Sequence, residues 1–101
     1  MIAKHPKKLL VVIAEAAIEQ PLLQLALQHG AHGYTVGDVR GAGATGRRDG
    51  AWEADRTVEL KIVCDAAVAD AIAEATLTRF GRDYGLTMYF GDVQVLRPQK
   101  Y

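Results

Sequence analysis

Leu9, Leu10, Val11, Val12 and Ile13 form an unbroken apolar run near the start of the chain. The run is far shorter than the ~20 apolar residues that span a bilayer. Over Lys8 to Ala14 it reads as a β-strand with no polar face. A strand sends successive side chains to opposite faces, so one that is apolar on both is covered on both. The chain has 101 residues, enough for one domain with one modest core. Helices in so small a domain can cover only one face of a sheet. The other face is expected to meet a second subunit. Lys4, Lys7 and Lys8 precede the run, but the longer apolar core and cleavage site of a signal peptide are lacking. A cytoplasmic location is therefore expected.

The remaining segments fall into a regular order. Glu19 to His29 reads as a helix, with Pro21 in the first turn and Gly30 at the C′ position. Ile18, Leu22, Leu25 and Ala26 give it an apolar stripe. Gly33 to Gly43 begins as a strand through Tyr34, Val36 and Val39. Ala44 to Asp55 reads as a long flexible loop. Thr57 to Cys64 is the clearest strand: Val58, Leu60 and Ile62 face one way, and Thr57, Glu59 and Lys61 the other. Asp65 is expected to cap a second helix, Ala66 to about Phe80, whose buried stripe is Ala69, Ile72, Ala73, Thr76 and Phe80. A short glycine-flanked loop follows, then a strand over Leu86 to Phe90 and an extended tail over Val93 to Leu96. Strand, helix, strand, strand, helix, strand is the βαββαβ order of an α+β, ferredoxin-like sandwich. It forms a single domain over residues 1–101.

The chemistry concentrates around Gly41-Ala42-Gly43 and the segment after it. Glycines at 41 and 43 permit close approach of a ligand to the backbone, or φ > 0. Backbone N–H groups there, with Arg47 and Arg48 just beyond, suit an anion such as phosphate or bicarbonate. Asp38 and Arg40 read as a cross-strand pair.

Other classes find little support. Lysine plus arginine and aspartate plus glutamate each number 12, so no net charge draws the chain to nucleic acid. The single Cys64 excludes an intrachain disulfide and a paired-thiol metal site, and it reads as a core residue. His29 and His32 lack a third ligand beside them. Asn and Ser are absent, which removes the arginine–asparagine pairing of acylphosphatase-type catalysis and most nucleophiles. No catalytic residue and no metal requirement is expected.

The run Gly33-Tyr34-Thr35-Val36-x-Asp38-Val39-Arg40-Gly41-x-Gly43 resembles the second strand and T-loop entry of PII signal-transduction proteins. The order of elements agrees along essentially the whole chain. The segment Ala44 to Asp55 departs from true PII: it is short and has no tyrosine, so PII-type uridylylation is excluded. The lysine-bearing phosphate loop is replaced by Phe80-Gly81-Arg82-Asp83-Tyr84-Gly85-Leu86. That run, with Asp92-Val93-Gln94-Val95-Leu96-Arg97-Pro98, is similar to the PII-like proteins of inorganic-carbon metabolism, and among them to those associated with carboxysomes.

The resemblance implies a homotrimer that binds ADP or AMP in clefts between subunits, with bicarbonate as co-ligand. Thr35, Val63 and Tyr84-Gly85-Leu86 would surround adenine and ribose, and Arg97 would reach the phosphates. Together with Gly41, Ala42 and Gly43 these form the expected nucleotide site, with Arg47 and Arg48 the bicarbonate or phosphate site. Ligands would order the loop 44–55 and control a partner surface anchored by Trp52. The partner would be a bicarbonate transporter or a carboxysome component. The reading is a non-catalytic sensor of inorganic-carbon status. A weak nucleotide-hydrolysing enzyme and a CutA-like metal-binding trimer are the alternatives.

Overall fold

The computed structural model describes residues 1–43, 46–48 and 56–101. Its main sheet contains β1 (His5–Glu15), β2 (Thr35–Val39), β5 (Thr57–Cys64) and β6 (Thr87–Val95) in the order β2-β5-β1-β6, every pair antiparallel. A second, two-stranded sheet pairs β3 (Gly41–Gly43) with β4 (Gly46–Arg48). Helices α1 (Glu19–Gln28) and α2 (Ala66–Phe80) complete a ferredoxin-like βαββαβ fold.

The two-sided apolar strand takes the centre of the sheet. Opposite residues in an antiparallel pair share a face. Leu10, Val12 and Ala14 lie opposite Ile62, Leu60 and Val58, and all six are buried. Five of them join residues of both helices in the main core; Val58 is buried outside that cluster. Leu9, Val11 and Ile13 lie opposite Val63, Lys61 and Glu59 on the other face. Neither helix contributes to that second face, where Leu9, Ile13 and Val63 remain half-buried. The α2 stripe is buried at each of its five expected positions.

Helix α1 closes as its sequence implies. Gly30 has φ +107°, its N–H donates to the Leu27 carbonyl and the Ala31 N–H donates to the Ala26 carbonyl. This pair of bonds is a Schellman motif, and only glycine takes that φ without strain.

Several expectations need correction. Strand β1 starts at His5 rather than Lys8, because β6 pairs with it from Ile13–Thr87 back to His5–Val95. That full-length pairing also fuses the expected fourth strand and the separate tail into one strand. Asp65 stands at the start of α2 but makes no side-chain cap; its Oδ1 accepts from Lys7 Nζ at 2.6 Å instead. Asp38 does not pair with Arg40. Its Oδ1 accepts from Arg56 Nη2 at 3.1 Å, since Arg56 directly precedes the β5 residue opposite Val39. Gly41 is extended rather than at positive φ, and the position of a Cβ there is open space. Strand β4 lies inside the segment read as a loop. Trp52, the expected partner anchor, lies outside the described residues.

Candidate functional site

The open face of the sheet carries a cleft of about 450 Å³ lined by Leu9, His32, Gly33, Tyr34, Thr35, Lys61, Val63, Lys100 and Tyr101. The sheet register builds it. Leu9 is opposite Val63, and Lys61 is opposite both Val11 and Thr35, so three strands deliver aliphatic, cationic and hydroxyl groups to one spot. Gly33 and His32 come from the connection that follows the Gly30 turn. The fourth wall is the 3-10 turn Pro98–Lys100 and Tyr101, folded back after β6.

The electrostatics of the cleft favour an anion. Two lysines and a histidine line it, and no aspartate or glutamate is among its described lining residues. Nearby acids are already engaged. Glu59 Oε1 is 3.4 Å from Lys61 Nζ, which also offsets part of the charge that Lys61 brings to the cleft. The hydrogen bond and charge of Lys7 hold the Asp65 carboxyl below its ordinary range, with a smaller contribution from His32. The Cys64 thiol next to it is pushed up, first by burial and then by the Asp65 charge. A buried thiol biased to its neutral form is a core group, not a nucleophile.

The expected nucleotide residues divide between the two ends of the sheet. Thr35 and Val63 line the cleft. Arg97 is exposed at the entry to the turn that carries Lys100 and Tyr101, at the same end. Gly41 and Ala42 lie beyond the other end of β2, followed by Gly43 in β3. Tyr84, Gly85 and Leu86 precede β6, whose first residue, Thr87, pairs with Ile13, so they also belong to that far end. The six steps from Thr57 to Val63 put the ends roughly 20 Å apart. Tyr84 is tied to the end of α2: its N–H donates to the Phe80 carbonyl at 3.1 Å and its ring meets Phe80 edge-on at 6.0 Å. Leu86 packs against the core. Arg47 and Arg48 lie opposite Ala42 and Gly41 in the small sheet, so the glycine motif and the arginine pair are in register.

Lys61, Lys100, Tyr101, Leu9 and His32 were not anticipated at a site. Lys61 reads in sequence as an ordinary solvent-facing residue of an alternating strand. The signal was its position on the same open face as Val63. Among the described residues no three His, Cys, Asp or Glu side chains come together as metal ligands. No helix among them is long and apolar enough to cross a membrane.

The family model for the nitrogen regulatory protein P-II matches residues 7–100. The chain belongs to the P-II family. A PII-like signaling protein from Thermus thermophilus is 30% identical with a TM-score of 0.85, over 99% of each chain. CPII from Thiomonas intermedia K12, described as a nitrogen regulatory PII-like protein bound to ADP, AMP and bicarbonate, is 25% identical with a TM-score of 0.86. That alignment covers 99% of this chain and 97% of CPII. CPII bound to ADP and bicarbonate matches at 25% identity and a TM-score of 0.86, over 99% and 98% of the two chains. No curated protein matches the sequence. The family match spans the glycine motif at the end of β2 and the sandwich beneath it.

Proposed function

We propose that the protein is a homotrimeric, non-catalytic sensor that binds ADP or AMP, with bicarbonate as co-ligand, in clefts between subunits. One observation carries this reading: the cleft on the open sheet face, lined by aliphatic, aromatic and lysine side chains, in a P-II family chain. An apolar floor with cations at its rim suits a nucleotide, which is flat and apolar at one end and anionic at the other. Thr35 and Val63 stand at one end of the sheet, and the glycine motif and Tyr84-Gly85-Leu86 at the other. Two copies meeting at their open faces would set one chain's glycine backbone against its neighbour's cleft. Arg97, Arg47 and Arg48 would then supply donors to phosphate and bicarbonate. The ligands of CPII support the choice of molecules.

Bound ligand would order the segment 44–55, and Trp52 would anchor a partner, a bicarbonate transporter or carboxysome component. The output would be control of inorganic-carbon uptake or carboxysome function, in the cytoplasm or at the carboxysome. No metal is needed in this scheme.

The test is calorimetric titration with ADP and with AMP, with and without bicarbonate, at fixed pH and ionic strength. Binding of both nucleotides is expected, with bicarbonate coupling of roughly 1–3 kcal/mol that is reciprocal by linkage. Replacing Arg47 and Arg48 together by Ala should remove the coupling while part of the nucleotide affinity remains. Absence of nucleotide binding overturns the proposal, and equal affinities with and without bicarbonate overturn its bicarbonate half. Release of phosphate from bound nucleotide would favour an enzyme instead.

A further inference from the structure

The tail forms a wall of the cleft that strand periodicity does not reveal. After Val95 the chain leaves β6 and enters a single 3-10 turn begun by Pro98. The Lys100 N–H donates to the Arg97 carbonyl at 3.1 Å and the Tyr101 N–H to the Pro98 carbonyl at 3.2 Å. Proline at the first position of the turn fixes φ and costs no hydrogen bond there. The turn brings Lys100 and Tyr101 to the open face, where they line the same cleft as Leu9 and Val63. Tyr101 is half-buried in that position. Tyr34, the other aromatic residue of the lining, is 46% exposed and reaches the cleft from the approach to β2.

A phenol ring beside aliphatic side chains offers a flat apolar surface, and Lys100 places a cation one residue away. No aspartate or glutamate is among the described lining residues to repel an anion attached to a planar group. We propose that Tyr101 is a stacking platform for the nucleobase, held in place by the Pro98 turn, with Lys100 on the phosphate side. This proposal rests on the nucleotide reading above. Stacking on an aromatic face tolerates any base. Tyr101 therefore strengthens binding of nucleotides in general, and the choice of adenine is made by other groups.

The test compares ADP affinity of the wild type with Tyr101→Phe, Tyr101→Leu, Tyr101→Ala and Lys100→Gln at low and high salt. Tyr101→Phe should stay within about two-fold of wild type, because the π-face is kept. Tyr101→Ala and Tyr101→Leu should each weaken binding by about ten-fold or more, the scale of one base–aromatic stack. That loss should be the same at both salt concentrations, whereas Lys100→Gln should flatten the salt dependence. Equal ADP affinity in wild type and Tyr101→Ala overturns the platform while leaving the nucleotide reading intact. A Tyr101→Phe loss as large as that of Tyr101→Ala also overturns it, since the hydroxyl would then matter and not the ring. No ADP binding by the wild type overturns both readings.

Discussion

Thr76 lies on the buried stripe of α2, fully enclosed, and its hydroxyl oxygen has no hydrogen-bond partner among the described residues. A buried polar group without a partner costs its full desolvation. Thr76→Val keeps the shape and removes that cost, so it should stabilise the fold by about 1 kcal/mol. The melting temperature should then rise by about 4–8 °C. Gly30→Ala should act in the opposite sense. At φ +107° a Cβ is strained, though Val68 at 3.5 Å leaves room for it. The expected loss is about 1–2 kcal/mol, read from denaturant unfolding. The Asp65–Lys7 pair gives a pH signature. A carboxyl whose folded pKa is depressed contributes stability above its unfolded value, near 3.8, and loses it as pH falls through the lower folded value. Lys7→Met removes the hydrogen bond and charge that depress the carboxyl, so NMR titration should find the Asp65 pKa higher in that variant. An unchanged value would contradict the assignment.

At the scale of elements, the readable parts were those where one periodicity held without competition. Strand β5 alternates cleanly, and α2 keeps its apolar residues on one stripe, so both were legible in full. The apolar run in β1 was legible as two-sided, because no helical stripe would leave every position apolar. The extra residues of β1 were not legible: His5, Pro6 and Lys7 have little intrinsic preference for a strand and are extended because β6 pairs with them. Asp65 was misread because a cap and an ion pair compete for one carboxylate, and only the fold places Lys7 within 2.6 Å of it. Much of the cleft was hidden for a related reason. Lys100 and Tyr101 are distant in sequence from Leu9, Thr35 and Val63, and a tail turn joins them. Thr35 and Val63 were legible only through a family motif. The extended backbone of Gly41 sharpens one expectation. Since a Cβ there meets nothing, Gly41→Val should melt like wild type. If ligand approaches that backbone, the same variant should lose ADP binding in a calorimetric titration. Normal ADP affinity in Gly41→Val would move the site elsewhere.

For the whole molecule, the sheet has one face under two helices and one without them. Leu9, Ile13, Val63, Val93 and Val95 are half-buried on the latter, and Tyr89 is exposed beside them. Burying apolar area yields about 25 cal/mol per Å², so a face of this composition favours association over solvent. The expected nucleotide residues stand at opposite ends of the same sheet, roughly 20 Å apart. A nucleotide site that draws on both ends needs two chains, so assembly and ligand binding are one claim. Native mass spectrometry in the presence of ADP measures both at once. The account predicts a species of three 10.9 kDa chains carrying up to three nucleotides, with Gly41→Val assembling equally but carrying none. A single 10.9 kDa chain that binds ADP by itself would contradict it.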